Sequence, residues 1–124
     1  MKLKGDLYNV VDLHKDADKI EYILRLNPSH FIYQAHFPGN PVTPGVCILQ
    51  IVKELSMEHL QCDLFLKKIS KVRFLHVIHP VENNQVNLTL TISQDDHSYK
   101  ATATVYNQER TFTQLSLILE NTNG

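Results

Sequence analysis

Apolar and polar side chains alternate along most of this chain, and the alternation breaks once, at a long apolar run. Lys19–Leu26 (K-I-E-Y-I-L-R-L) reads as a half-buried strand that Asn27-Pro28-Ser29 ends. Residues 69–75 alternate Ile, Lys, Arg and Leu against Ser, Val and Phe, which predicts a second strand. Residues 85–93, Ser98–Tyr106 and residues 110–120 predict three more, separated by turns at Gln94-Asp95-Asp96-His97 and Asn107-Gln108-Glu109. Ahead of them, residues 7–11 make only a weak strand, followed by a polar turn through His14, Lys15, Asp16 and Asp18.

Between residues 46 and 60 the period changes. Val46, Ile48, Leu49, Ile51, Val52 and Leu55 fall all round a helical axis, the mark of a helix enclosed on most sides. Thr43 reads as its N-cap, with Pro44 and Gly45 as its first residues. A polar stripe interrupts the apolar surface, because Gln50, Lys53, Glu54 and Glu58 recur at spacings of three or four and share a face. One apolar helix among many strands predicts an α+β layer arrangement, a long antiparallel sheet packed on a single helix.

The stretch that leads into this helix is stiff. Pro38, Pro41 and Pro44 fix φ, Gly39 and Gly45 supply permissive backbone, and His36 is thereby held in one geometry. The N–H groups of Gly45 and Val46 have no helical partner and sit at the positive end of the helix dipole, ready for a developing oxyanion. Gly45 would let a substrate come close.

Composition narrows the partners. The 124 residues make one domain, 1–124, whose core needs neither disulfide nor metal. A formal charge of -1 and a pI near 6.6 give no field for nucleic acid or a membrane surface. The first residues, Met1-Lys2-Leu3-Lys4-Gly5-Asp6-Leu7, lack an apolar signal core, and no run of about eighteen apolar residues occurs, so a cytoplasmic location is expected. Cys47 and Cys62 lack a framework spacing and read as reduced thiols, Cys47 as a small core hydrophobe. His76-Val77-Ile78-His79 has a spacing found in metal sites, but the stretch is extended and no clear set of further ligands follows, so no metal and no cofactor is expected. Lys67, Lys68, Lys71 and Arg73 gather on or before one strand, a basic edge able to dock an acidic carrier protein.

The loop resembles the H-F-P-x-x-P-x-x-P-G motif of the hot-dog-fold (3R)-hydroxyacyl-acyl carrier protein dehydratases, in the thioester dehydratase superfamily. Every fixed position matches, at His36, Phe37, Pro38, Pro41, Pro44 and Gly45, and an apolar helix follows as it does there. The resemblance implies a hot-dog fold, an antiparallel sheet wrapped around one central helix. It also implies an acyl-thioester substrate on acyl carrier protein, contacted by Phe37, Pro44 and Val46, and a homodimer or a higher oligomer of dimers that shares its sites between subunits. In that family the histidine works with an acidic helix residue, and the matching position here is Gln50. Further on, V-R-F-L-H-V-I-H-P-V (residues 72–81) resembles the family's strand that ends in proline, with Glu82-Asn83 where Gly-Asp is common.

The implied chemistry removes water from a β-hydroxyacyl thioester. A base takes the C2 proton while charge grows on the thioester oxygen, and an acid protonates the departing C3 hydroxyl. His36, with an ordinary pKa near ~6.5, suits the first task. The Gly45 N–H would hold the enolate oxygen. Gln50 can orient a hydroxyl or a water but cannot donate a proton as an acid does. Three routes stay open for the second transfer: His36 returns the proton, Glu54 reaches in from ~6 Å further along the axis, or the site binds acyl thioesters without turnover. A thioesterase of the same fold and a non-catalytic acyl-thioester or carrier-protein binding partner are the alternative readings.

Overall fold

The computed structural model describes residues 2–36 and 38–122. In chain order the elements are β1 (Tyr8–Asp16), β2 (Lys19–Leu26), α1 (Phe31–Ala35), α2 (Gly45–Leu60), β3 (Leu64–Phe74), β4 (Gln85–Asp95), β5 (Ser98–Tyr106) and β6 (Thr111–Asn121). The strands form one antiparallel sheet in the order β1-β2-β4-β5-β6-β3, and α2 lies nearest β3 and β5. The expected α+β arrangement is present. Among the described residues no helix is long and apolar enough to cross a membrane.

Residues directly opposed in antiparallel strands point to the same face, so the register explains why one side of the sheet is apolar. Ile20, Leu90, Ala103, Leu115 and Val72 form one row, and Tyr22, Leu88, Val105, Thr113 and Phe74 form the next. Both rows are buried until they reach β3, where Val72 is 38% and Phe74 53% exposed. Ala101 and Ala103 leave room above β5 for α2, whose Cys47, Ile48, Ile51, Val52 and Leu55 are buried.

Two small departures from the sequence expectations are that β4 takes in Gln94 and Asp95, leaving Asp96 and His97 as the turn, and that the short helix α1 joins the single helix expected. Four others bear on the site. First, β1 runs on to Asp16, so the turn expected from His14 shrinks to Ala17 and Asp18, with Ala17 left-handed (φ 55). As an edge strand β1 exposes most of both faces, and its ladder to β2 holds residues that no burial pattern would mark.

Second, β3 begins at Leu64, not at residue 69, and carries bulges between Leu66 and Lys68 and between Ile69 and Lys71. Each bulge inserts a residue and resets the alternation. Leu66, Ile69, Val72 and Phe74 therefore share the helix side, and Lys68, Lys71 and Arg73 share the opposite side. Strict alternation, which groups Ile69 with Lys71 and Arg73, fails here because an extra residue leaves no trace in a binary pattern.

Third, Pro44 is the N-cap of α2, and Thr43 does not cap it. The Thr43 hydroxyl is engaged by the Tyr33 hydroxyl instead (3.0 Å).

Fourth, α2 is less evenly enclosed than its apolar content suggests, since Val46 is 61% exposed while Glu54, expected on a polar surface stripe, is buried at 7%. Glu54 accepts from the backbone N–H groups of Leu3 (2.7 Å) and Lys4 (2.9 Å), from the Tyr8 hydroxyl (3.0 Å) and from Gln50 Nε2 (2.9 Å).

Two phenols record this burial. Desolvation, and then the Glu54 carboxylate, push Tyr8 far up. Desolvation first, then the charge of Glu58, pushes Tyr22 from 10.0 up to about 12. A raised phenol favours the neutral form in the fold, so its contribution to stability is complete below pH 10.0 and is lost as the pH rises through about 12. We predict a urea midpoint that falls above pH 10.0, where Tyr22 begins to ionise in the unfolded chain. Tyr8→Phe should lower the neutral-pH stability by about 1.5–3 kcal/mol and make the alkaline fall shallower. An unchanged alkaline slope in that variant would assign the fall to other groups.

Candidate active site

The loop that carries His36 is tied down along its length. α1 starts because His30 caps it, with Ile32 N–H donating to His30 Nδ1 (3.1 Å) and His30 Nε2 facing the Asp6 carboxylate (3.2 Å). It ends where His36 N–H donates to the Ile32 carbonyl (2.9 Å), which leaves the His36 side chain exposed. Gly39, at φ +83, supplies a backbone turn that other residues resist. Further on, His79 Nδ1–H donates to the Pro41 carbonyl (3.4 Å), and Thr43 N–H donates to the Ile78 carbonyl (2.9 Å). The apolar space beneath Thr43, among Leu24, Ile48, Ile51 and Ile78, holds only about 10 Å³, so the loop's end is packed down on the core.

Past the loop, α2 opens with two N–H groups that precede its first internal bond, from Cys47 N–H to the Pro44 carbonyl (3.0 Å). Pro44, Gly45 and Val46 thus surround a helix N-terminus that Val46 leaves open to solvent. The space beside Gly45 is already occupied. A Cβ built there would lie 2.6 Å from Phe74 Cζ, so what crowds this position is an aromatic ring from the end of β3, not a positive φ. Gln50, half-buried, follows on the same helix with its Nε2 donating to Glu54.

Of the residues singled out from the sequence, Pro44, Gly45, Val46 and Gln50 gather on the first turns of α2, and His36 stands at the far end of the tethered loop. Phe37 lies outside the described residues. Lys67 pairs with Glu120 (3.1 Å), while Lys68, Lys71 and Arg73 line the outer face of the sheet. Cys47 is 1% exposed, and burial pushes its thiol up, as suits a core residue. Glu54 does not reach toward the loop, because its four donors hold it inside.

Sequence reasoning missed the tethers Tyr33 and His79 and the ring of Phe74. Only the last left a signal, in a motif glycine with no φ that demands one. A cleft of about 610 Å³ lined by Lys4, Glu54, Met57, Glu58 and Gln61 lies along the C-terminal half of α2, beyond Glu54 and on the side away from the helix start.

The family description of the ApeI-like dehydratases (ApeI dehydratase) matches residues 12–114. The chain belongs to the ApeI-like dehydratase family. It is 31% identical over 97 residues to the 3-hydroxyacyl-[acyl-carrier-protein] dehydratase FabZ of Latilactobacillus sakei, a match that covers 72% of this chain and 69% of that protein. The FabZ of Caldicellulosiruptor saccharolyticus is 33% identical over 99 residues, covering 74% and 70%.

Among solved structures, the dehydratase heterocomplex ApeI:P from Xenorhabdus doucetiae aligns with a TM-score of 0.74 at 20% identity, over 90% of this chain and 96% of that one. A mutant of the thioesterase PA1618 from Pseudomonas aeruginosa aligns at 0.60 and 8%, over 87% and 78%. The fold is therefore the hot-dog fold that the loop motif implied. Dehydratases and thioesterases share it, so the backbone alone does not choose the reaction, and the family match does.

The contact between Phe74 and Gly45 generates a test. In Gly45→Ala the half-exposed ring can swing aside, and the better helix propensity of alanine offsets up to about 1 kcal/mol, so the thermal midpoint should move little. Turnover should fall by about 10–10²-fold, because the displaced ring crowds the helix N-terminus. Adding Phe74→Leu should restore part of it. No rescue in the double variant would mean that the alanine methyl itself blocks the substrate.

Proposed function

We propose that this member of the ApeI-like dehydratase family removes water from (3R)-β-hydroxyacyl thioesters carried on acyl carrier protein, with His36 as the general base. The observation that carries the reading is a complete, tethered histidine loop ending at a helix N-terminus whose Gly45 and Val46 N–H groups precede the first helical bond. The FabZ relatives, dehydratases of 3-hydroxyacyl carrier-protein substrates, support the substrate class.

In the proposed mechanism the His36 imidazole takes a C2 proton, and the charge that develops on the thioester oxygen is received by the Gly45 and Val46 N–H groups. The C2=C3 double bond forms as the C3–O bond breaks. The leaving oxygen needs a proton. Gln50 has no acid proton to give, and the Glu54 carboxylate is committed to four donors in the core, so the imidazolium of His36 returns the proton it took and water departs.

We further propose that the chain is a single hot-dog domain that works as a cytoplasmic homodimer. The helix-side row of β3 supports the dimer, since Leu66, Ile69, Val72 and Phe74 are 37–53% exposed on an edge strand whose outer ladder has no neighbour among the described residues. A second copy would cover that row and bring His36 of one protomer to the helix of the other. Lys68, Lys71 and Arg73, on the opposite face, would meet the acidic carrier protein.

The dimer is tested by sedimentation velocity, where Val72→Glu should convert a dimer to a monomer and abolish turnover. A variant that stays dimeric would place the interface elsewhere. The chemistry is tested with an enoyl thioester, whose hydration His36→Ala should slow by at least ~10²-fold at unchanged folding. Release of free thiol without hydration would make the protein a thioesterase. In the same assay Lys71→Glu should raise the KM of a carrier-borne substrate and leave that of a small thioester unchanged, and an equal effect on both would remove the docking role.

A further inference from the structure

We propose that His30 is a positioning residue for His36, acting through the backbone of Ile32, and that it does so only as the tautomer whose Nδ1 carries no proton. The inference rests on the reading of His36 as the general base above. Two hydrogen bonds carry it. Ile32 N–H donates to His30 Nδ1 (3.1 Å), and the carbonyl of the same residue accepts from His36 N–H (2.9 Å). One backbone residue therefore joins the two histidines.

The helix between them, α1, is five residues long, and a helix that short does not hold itself, because the first turn fixes several dihedrals for few bonds. It depends on what grips its ends. Tyr33 ties it to Thr43 through their hydroxyls (3.0 Å), and His30 supplies the cap that sets where Ile32 lies and so where its carbonyl meets His36.

The ring is held for this task from several sides. Nδ1 accepts, so the imidazole proton sits on Nε2, which donates to the Asp6 carboxylate (3.2 Å). One face stacks on Phe31, with centroids 4.7 Å apart and planes at 26°. The His30 N–H donates to the Asn27 carbonyl (3.1 Å). At 5% exposure the ring has no room for water to replace it, and a proton on Nδ1 would set two donors against each other at the start of α1. Serine or asparagine can also cap a helix, but the imidazole has a second nitrogen, which ties α1 to the segment leading into β1.

The experiment compares steady-state hydration of an enoyl thioester in His30→Leu, which keeps bulk and loses the acceptor, and in His30→Asn, whose side-chain oxygen caps the same N–H. His30→Leu should lower kcat about tenfold and leave KM within about twofold, because the base is misplaced while the helix N-terminus of α2 is untouched. His30→Asn should recover kcat to within about threefold of the parent. A leucine variant as fast as the parent overturns the proposal. So does an asparagine variant as slow as the leucine one, which would assign the effect to ring packing.

A second measurement uses the unaltered protein and needs no turnover. In a ¹H–¹⁵N spectrum the His30 ring should carry its proton on Nε2 and none on Nδ1, with a scalar coupling across the hydrogen bond from the Ile32 nitrogen. A proton on Nδ1 at neutral pH overturns the proposal whatever the variants do. Exchange of the His36 amide proton should quicken about tenfold in His30→Leu and stay near the parent's rate in His30→Asn, and equal exchange in the two variants overturns it as well. A parent that hydrates no enoyl thioester would sink the reaction assigned above, whereas the ring tautomer and the His36 exchange would still decide the role of His30.

Discussion

A carboxylate inside a small apolar core has to be matched donor by donor, because an unsatisfied buried charge costs several kcal/mol and each charge-assisted bond returns about 1.5–3 kcal/mol. Glu54 meets that requirement from three parts of the chain: the backbone of Leu3 and Lys4, the phenol of Tyr8, and Gln50 one turn earlier on its own helix. The residues before β1 are therefore not a loose lead-in. They fold back at Gly5 (φ +85), bury Leu3 and Leu7, and deliver Tyr8 to the core at the point where β1 begins. One side-chain charge fixes how the first strand meets the helix.

The two edges of the sheet are built on opposite terms. β1 carries Tyr8, Val10 and Leu13 on the helix side but closes that row with Lys15, and Asn9, Asp12, His14 and Asp16 make its other face polar. β3 is as exposed, and its bulges at Leu66/Lys68 and Ile69/Lys71 leave an unbroken apolar set, Leu66, Ile69, Val72 and Phe74, on the helix side and cations on the other. The rows that start at Ile20 and Tyr22, apolar except for the buried Thr113, run on to Val72 and Phe74, and so the core of the protomer stops at an edge that is itself apolar. That continuity separates an edge made for solvent from one suited to a partner.

Much of this was legible in the sequence, and the parts that were not share a physical cause. Strands with one buried face announce themselves by alternation, as Lys19–Leu26 and Ser98–Tyr106 do, with bounds that match. Prolines and glycines marked the His36 loop and the start of α2 to within one residue. A strand exposed on both faces has no burial pattern, which hid the second half of β1. A bulge breaks the period it is read by, which misplaced the faces of β3. Glu54 looked like a surface residue because charge spacing on a helix says nothing of what another segment brings to it. The pairing of Phe74 with Gly45 joins residues far apart in the chain, and only the register of β3 against β6 sets the ring there.

The division of labour along α2 bears on how the loop has to be built. With the acid at residue 54 turned inward and an amide at residue 50, the proposed reaction leaves one imidazole to serve two atoms, the C2 hydrogen and the C3 oxygen, on the same face of the substrate. Such a group gains from being held still, since small errors in placement weaken both transfers at once. The tethers of the loop meet that demand: Ile32 takes the His36 N–H, His79 holds Pro41, and Ile78 and Tyr33 hold Thr43. A second acid on the helix would relax the constraint by sharing the work. The amide at Gln50 therefore makes the rigidity of the His36 loop a requirement of the chemistry as well as a result of its prolines.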